Sequence, residues 1–324
     1  MVVRATISES RRGAAEPLAQ CGPERRRPTR RHTCVIRTSH RAPAPAHDGR
    51  CAPPFARGRA PPQPEFPMQR VPNQPFTRPA RFSEAEWQAR VQLAAAYRIF
   101  DHLGWTELIY NHISLRVPGE DGHFLINPFG LHYREVCASN LVKIDIDGNV
   151  IGHSDWPINP AGFTFHGAIH AALPDAHCVM HVHTTPTMAV CCSRDGLSFS
   201  NFYSAQLYGK IAYHDFEGIT VHLEEGRRIV ESAGGRPVLL LRNHGPVTIG
   251  ATLAQTFSLM WLLNRACEVQ IATHAIGVAL PIAPPVLEGC VRDSLNFDPK
   301  HGAGQDAFDA LQRIVDRIDP GYRA

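Results

Sequence analysis

Two histidines separated by one residue, His181 and His183, are the most distinctive potential ligands in this 324-residue sequence. Residues 178–182 are apolar and strand-forming, and side chains in a strand alternate between its faces, so both imidazoles are expected on one side. A third histidine, His244, follows a second apolar segment, residues 237–241, and precedes a glycine. Three neutral imidazoles at two strand ends can bind one divalent cation and leave coordination positions open for a substrate. The pattern therefore predicts a catalytic metal site rather than a closed structural one.

The same pattern has a simpler explanation, because the chain contains 18 histidines and a chance His-x-His pair is not rare. A second pair, His166 and His170, lies four residues apart in a segment of helical character, residues 162–173, so both rings share one helix face. No glutamate of the His-Glu-x-x-His type lies between them. We expect His166 to face the site as a catalytic residue. The alternative is a histidine that satisfies neighbouring polar groups.

Regular elements are predicted around these histidines. A helix is expected to begin at Ser83, where Glu86 completes a capping box, and to end at Gly104. A second capping box, Thr252 with Gln255, is expected to start a long helix. Strands are predicted at residues 111–117, 123–127, 141–145, 149–152, 178–183 and 237–241, and further helices at residues 162–173, 184–192, 224–232 and 252–276. An apolar stripe predicts a C-terminal helix through Phe308, Leu311, Val315 and Ile318.

Five separated segments resemble, in order and spacing, the class II aldolase/adducin family over about residues 83–280. They are residues 110–116, 124–130, 173–176, 181–184 and 243–245. The resemblance implies an α/β fold, a three-layer α/β/α sandwich around a mainly antiparallel sheet. It also implies a homotetramer with active sites at the subunit interfaces and a small-molecule substrate.

The resemblance further assigns roles to particular residues. In aldolases of this family the equivalents of the three strand-end histidines bind zinc, which implies a divalent cofactor, Zn²⁺ first, with Mn²⁺ or Fe²⁺ as alternatives. Asn111 and Gly130 match positions that contact the substrate anion. Tyr203 is the nearest candidate for a tyrosine that lies close to the substrate, and its alternative is a core tyrosine with a satisfied hydroxyl.

The departures from the family pattern are as informative as the matches. Gly162 stands where the aldolases have a glutamate that binds metal and transfers a proton, and Pro160 and Ala161 replace two phosphate-binding serines. Phe129 replaces a threonine that contacts phosphate. These changes remove hydroxyl donors from an anion site, so cleavage of phosphorylated sugars is not expected. The local pattern is closer to adducin-like members, whose head domains are not known as aldolases.

Three functions are compatible with this pattern. The leading hypothesis is a metal-dependent lyase, of aldolase or decarboxylase type, that stabilises an enediolate of a small oxygenated acid or carbonyl compound. The second is a non-catalytic module, like the adducin head, kept for oligomerisation or binding. The third is a non-haem iron oxygenase, since some relatives carry iron.

Charge is distributed unevenly along the chain. Residues 1–67 carry 13 arginines, no lysine and 5 acidic residues, a net charge of +8, whereas the whole chain carries +3. We predict a disordered Arg/Pro/Ala-rich leader at residues 1–78, followed at residues 79–324 by the aldolase/adducin-like domain with a C-terminal helical tail. The leader is interpreted as an upstream start-site artefact with Met68 as the true start. A transit peptide and a nucleic-acid-binding arm are the alternatives, and nucleic acid is the less expected partner because no aromatic residues interleave the arginines.

The nine cysteines show no disulfide or Cys-x-x-Cys framework, and no secretory signal is recognisable. A reducing cytoplasm is therefore the expected location. The longest apolar stretch, within residues 253–276, is interrupted by Asn264, Arg265, Glu268 and Gln270. It predicts a buried helix, and no membrane association is expected.

Overall fold

The computed structural model describes residues 76–294 and 302–324. The predicted leader therefore lies outside the described residues except for its last three positions, and its interpretation stays a prediction. The described strands are β1 (His112–Arg116), β2 (His123–Ile126), β3 (Val142–Asp145), β4 (Cys178–His181), β5 (Ile211–His214), β6 (Val238–Leu241) and β7 (Gly245–Gly250). The described α-helices are α1 (Glu84–His102), α2 (Pro160–Ala172), α3 (Thr185–Cys192), α4 (Phe202–Ala205), α5 (Leu223–Ala233), α6 (Leu253–Ile276), α7 (Pro284–Ser294) and α8 (Gln305–Ile318).

The seven strands form one sheet in the order β3-β2-β1-β4-β7-β6-β5. Only β5 and β6 are parallel, and every other neighbouring pair is antiparallel. The prediction of a mainly antiparallel sheet is therefore confirmed. In this order β4 lies at the centre beside β1 and β7, so the end of β4 is surrounded by other strands.

Helices cover both faces of the sheet, because apolar side chains alternate along its central strands. In β4, Met180 contributes to a core shared with α1 and α6, whereas its neighbour Val179 contributes to a core shared with α2 and α5. Leu240 and Leu239 of β6 divide between the same two cores. A strand with helices on both faces must be apolar on both, which explains its unbroken apolar sequence. The result is the expected three-layer α/β/α sandwich.

The starts of α1 and α6 agree with the predictions, but their capping boxes are only half formed. Ser83 accepts a hydrogen bond from the Glu86 amide as an N-cap should, at 3.1 Å. The Glu86 carboxylate does not return the bond; it accepts instead from Arg90 Nε at 2.8 Å and Lys143 Nζ at 3.1 Å. Glu86 is buried, and a buried carboxylate is stabilised more by two cations than by one amide.

Several elements differ from the sequence prediction. Residues 149–152 form a single bridge, Ile144 to Val150, rather than a strand. The helix expected from residue 162 begins two residues earlier, because Asn159 caps it through the Ala161 amide and Pro160 is compatible with its first turn. Two strands, β5 and β7, and the helices α4 and α7 were not predicted. No described helix has the length and apolarity that a membrane crossing requires.

Candidate metal centre

The three predicted ligands converge at one end of the sheet. His181 ends β4, His183 follows it, and His244 lies in the turn between β6 and β7. The ring centroids are 4.6 Å apart for His181 and His183, 4.9 Å for His181 and His244, and 5.1 Å for His183 and His244. One nitrogen from each ring lies within 4.8 Å of the others. The rings of His181 and His183 thus lie on the same side, as the alternation of side chains in a strand predicts. The tertiary fold brings the ring of His244 to them.

The turn that carries His244 has a backbone that few residues could adopt. Asn243 has a φ of +55°, a left-handed conformation that asparagine tolerates better than most residues. At Gly245 a Cβ atom would lie 2.8 Å from His183 Cδ2 and 2.9 Å from the Val182 carbonyl oxygen. The glycine is thus needed because the turn passes directly over the His183 ring.

Hydrogen bonds orient the central imidazole. Nδ1 of His181 lies 2.9 Å from the Pro246 carbonyl oxygen, which can only accept, so Nδ1 carries the hydrogen. In the neutral ring Nε2 therefore carries a lone pair and no hydrogen. This nitrogen lies 2.8 Å from His183 Nε2. A carbonyl bonded to the far nitrogen of a ligand histidine is the usual second interaction in metal sites.

All three rings are held neutral by their surroundings. Burial lowers the pKa of His181 well below its ordinary value, and the neighbouring imidazoles of His244 and His183 lower it further. Burial and then His183 lower the pKa of His244 to about 4. Burial also lowers the pKa of His183. Neutral imidazole is the form that binds a cation, so the donor set fits a divalent metal.

A cavity of about 470 Å³ opens on these rings. Its lining includes the three histidines together with Glu107, Tyr110, Asn111, His112, Asn159, Ala161, Phe165, Met188, Phe216, Gly218, Ile219, Thr220 and Asn243. Most of the exposed surface of this lining is apolar, and polar side chains are interspersed in it, as in small-molecule sites. The cavity has room for a compound of modest size beside the three imidazoles.

Asn111 lines this cavity, and its predicted role in substrate binding stays a prediction. Its side chain is 3 % exposed, and neither its amide nitrogen nor its amide oxygen has a hydrogen-bond partner among the described residues. Its φ is +65°, so the chain turns sharply just before β1 begins. An unpaired buried amide costs about 1–3 kcal/mol, which a bound compound would recover by hydrogen bonding to it.

The other sequence-predicted residues do not line this cavity. Gly130 packs against Trp156 with a φ of +110°. Tyr203 lies on α4, with its ring against Trp261 at 5.6 Å between centroids, and borders a separate cavity. His166 is fully buried behind the cavity wall. Within one chain none of these three residues lines the cavity, and their predicted roles stay predictions.

His112 is the site residue that sequence reasoning missed. A Cβ atom at Gly162 would lie 2.6 Å from His112 Cδ2 and 2.9 Å from its Cγ. The ring of His112 therefore fills the space beside Gly162. It also stacks on His181, with 5.1 Å between centroids, and its Nδ1 lies 2.9 Å from His166 Nε2. No local sequence signal identifies it, because its position is set by the pairing of β1 opposite His181 of β4.

Comparison with known proteins agrees with this architecture. Residues 91–271 match the family model of the Class II Aldolase and Adducin N-terminal domain. The chain belongs to the class II aldolase and adducin family. It is 45 % identical over 243 residues to a Caulobacter vibrioides protein named "Putative aldolase class 2 protein", covering 75 % of this chain and 94 % of the relative.

Other members of the family show how varied it is. Over 259 residues the chain is 39 % identical to rat alpha-adducin, covering 75 % of this chain but only 34 % of adducin. Among solved structures it is similar to an aldolase II superfamily protein from Pseudomonas syringae, with a TM-score of 0.70, 40 % identity and coverage of 75 % and 98 % of the two chains. It is also similar to L-fuculose 1-phosphate aldolase from Glaciozyma antarctica, with a TM-score of 0.66, 27 % identity and coverage of 77 % and 98 %.

Proposed function

We propose that this protein is a metal-dependent lyase, of aldolase or decarboxylase type, acting on a small oxygenated acid or carbonyl compound through an enediolate. The observation that carries the proposal is the convergence of three neutral imidazoles on a cavity. A divalent cation bound by them would polarise a substrate oxygen and so stabilise negative charge that develops on the adjacent carbon. Nitrogen donors suit Zn²⁺ best, and Fe²⁺ or Mn²⁺ are the alternatives.

The protein's own groups would bind and orient the substrate. Asn111 supplies a buried amide with a donor and an acceptor that both lack partners among the described residues. Ala161 lines the cavity in the first turn of α2, where a serine would offer a hydroxyl, and its amide already bonds to the Asn159 side chain at 3.1 Å. These residues favour an unphosphorylated substrate, because an anion site for phosphate needs several free donors.

We also propose that the working form is a homotetramer with its sites at subunit interfaces. Apolar side chains lie exposed on the segment that forms one cavity wall and continues into α5. Ile219 is 79 % exposed, and the others are Phe216, Val221 and Leu223. Contiguous exposed apolar side chains of this kind typically mark an interface.

Metal analysis tests the enzyme proposal directly. Protein purified anaerobically is expected to hold about one zinc, iron or manganese ion per chain, measured by mass spectrometry. His181→Ala is expected to lower the affinity for added Zn²⁺ by more than roughly 100-fold. Loss of a residue that only hydrogen-bonds to a metal ligand already costs up to about 100-fold in affinity, and His181 is proposed to bind the metal itself. His153→Ala is the matched control, since that side chain is 87 % exposed.

Activity is then measured on keto acids and hydroxy aldehydes with the metal-loaded protein. Carbon–carbon cleavage that disappears in His181→Ala supports the lyase. A folded wild type that binds none of the three metals would contradict it. Turnover that requires dioxygen and iron would point instead to an oxygenase.

A binding module of adducin-head type is the second candidate. It is favoured by Gly162, which removes the family's acid/base carboxylate, and by the similarity to alpha-adducin. The three converging imidazoles disfavour it, since burying a set of metal-binding side chains beside a cavity does not contribute to a scaffold. A metal-loaded protein inactive on every substrate, with oligomerisation unchanged in His181→Ala, would favour this candidate.

A further inference from the structure

Behind the cavity wall, three histidines and a serine form an uninterrupted series of hydrogen bonds. His112 Nδ1 lies 2.9 Å from His166 Nε2, and His166 Nδ1 lies 2.6 Å from Ser114 Oγ. Ser114 Oγ in turn lies 2.7 Å from His170 Nε2, and His170 Nδ1 lies 2.8 Å from the Ala176 carbonyl oxygen. All four side chains are buried. We call this set the histidine series.

The carbonyl at one end determines the direction of every bond in the series. A carbonyl oxygen only accepts, so His170 donates from Nδ1 and its Nε2 is an acceptor. The single Ser114 hydrogen must then point to His170, which obliges Ser114 Oγ to accept from His166 Nδ1. His166 Nε2 is consequently an acceptor.

At the cavity end the same rule applies to His112. His166 Nε2 accepts from His112 Nδ1, which leaves Nε2 of the neutral His112 ring without a hydrogen. The four bonds thus select one tautomer for each ring, the Nδ1–H form.

The surroundings keep the three rings neutral, as this pattern requires. Burial lowers the pKa of His170 to about 3. The His112 ring lies between two other imidazoles, with its centroid 4.6 Å from that of His166 and 5.1 Å from that of His181. A second proton on His112 would place a cation beside His166, His181 and the other cavity imidazoles.

The free nitrogen of His112 is available to the cavity. His112 is one of the lining side chains, and its Nε2 makes no hydrogen bond to any residue that the structure describes. The next residue back, Asn111, also lines the cavity with its unpaired amide. Consecutive residues of a strand face opposite ways, and the left-handed backbone at Asn111 breaks that alternation so that both reach the cavity.

We propose that His112, seated in the space beside Gly162, presents an unprotonated Nε2 as the hydrogen-bond acceptor for a hydroxyl group of the bound compound, with His166, Ser114 and His170 as positioning residues. The carbonyl oxygen of Ala176 determines which nitrogen of His112 is the acceptor, through three intervening side chains. The inference rests on the proposed function only for the nature of the occupant, which it narrows to hydroxylated acids or carbonyl compounds.

The tautomers can be read without metal or substrate. In the wild-type protein labelled with ¹⁵N-histidine, nitrogen–proton correlation spectra are expected to show His112, His166 and His170 as neutral rings protonated at Nδ1. Assignment uses single histidine-to-asparagine variants. An Nε2–H tautomer or an imidazolium at His112 would overturn the inference.

Ser114→Ala tests the positioning role, because it removes the link between His166 and His170. A mixture of tautomers at His112 is expected in this variant. Thr164→Val is the matched control: it removes a buried hydroxyl on α2, the helix that carries His166 and His170. Among the described residues this hydroxyl donates to the Pro160 carbonyl oxygen, at 2.9 Å, and to no member of the histidine series. An unchanged single tautomer at His112 in Ser114→Ala would contradict the positioning role, and should that variant fail to fold, the wild-type spectrum still decides the assignment.

Calorimetry tests the acceptor role with glycolate and acetate as probes that differ by one hydroxyl. The zinc-loaded wild type is expected to prefer glycolate, and His112→Phe is expected to reduce that preference by about tenfold, the effect of one hydrogen bond. An unchanged preference, or no glycolate binding to the wild type, would contradict the acceptor role. A protein that binds no zinc would refute the proposed function, while the tautomer spectra would still decide this inference.

Discussion

His170 is 1 % exposed, and its imidazole is neutral in the folded protein because burial lowers its pKa to about 3. In the unfolded chain a histidine has a pKa near 6.5. Between these values the unfolded chain binds more protons than the folded protein, so the free energy of unfolding decreases as pH falls from about 6.5 towards 3. Above pH 6.5 both states are neutral and the effect disappears.

We therefore predict that His170 contributes to a decrease in the free energy of unfolding at acidic pH. Substituting His170→Asn, which does not titrate, is expected to reduce the pH dependence of the free energy of unfolding below pH 6 by up to about 1.4 kcal/mol per pH unit. Urea unfolding at pH 7.0, 6.0 and 5.0 measures the slope. His153→Asn, at an exposed position, is expected to keep the wild-type slope. Equal slopes for wild type and His170→Asn would show that the ring does not contribute.

The same residues show what spacing alone could predict. His181 and His183 were predictable because a separation of two residues in a strand has one geometric meaning. His244 was placed by the glycine-flanked turn after an apolar strand and by the family resemblance. His112 was not, because its role depends on Gly162, 50 residues later, and on pairing opposite His181 in the next strand. Such contacts are set by strand register, which a single sequence does not display.

Among the elements, the start of α2 fits closely against β1, and one atom is enough to disturb the fit. Replacing glycine by alanine inside a helix normally stabilises by about 0.5–1 kcal/mol. At Gly162 the added Cβ would meet the His112 ring at 2.6 Å, so Gly162→Ala is expected to destabilise by about 1–3 kcal/mol. The opposite sign is expected for Gly289→Ala in α7, where the nearest neighbour is 3.7 Å away. Urea unfolding compares the two.

A double substitution separates this clash from other causes. In a His112→Ala background the space is open, and the cost of Gly162→Ala is expected to fall by at least about 1 kcal/mol. The same cost in both backgrounds would mean that the His112 ring does not occupy the space beside Gly162.

At this scale the sequence predicted long helices better than short strands. The N-caps Ser83 and Thr252 and the apolar periodicity placed α1 and α6 correctly. The four residues of β5 and the glycine-bounded β7 carry little pattern of their own, because their pairing partners define them. In each capping box only the hydrogen bond to the N-cap side chain forms, and the absence of the second bond has a related reason. Glu86 accepts from Arg90 of the same helix and from Lys143 of β3, and the second of these contacts is not visible in local spacing.

For the whole molecule, the exposed wall of the cavity predicts association between chains. Ile219→Asp introduces a charge on a side chain that is 79 % exposed in one chain and is proposed to be buried in the tetramer. Because burying an unpaired carboxylate costs several kcal/mol, the variant is expected to dissociate to smaller species. Light scattering after size-exclusion chromatography measures the mass. Ile146→Asp, at a side chain 43 % exposed on the turn after β3, is the control and is expected to stay assembled. A wild type that is monomeric at micromolar concentration would contradict the proposed tetramer.

The predicted leader offers the last test at this scale. Residues 1–67 are rich in arginine, proline and alanine, a composition with little apolar surface to stabilise a folded unit. The comparison with the Caulobacter protein aligns 75 % of this chain with 94 % of that relative, so a domain of this family is complete without about a quarter of the residues present here. A chain that begins at Met68 is therefore expected to show the same urea midpoint and the same zinc content as the full chain, within about 0.5 kcal/mol in the free energy of unfolding. A lower midpoint or a loss of zinc would show that the first 67 residues support the domain, and Met68 would then not be a sufficient start.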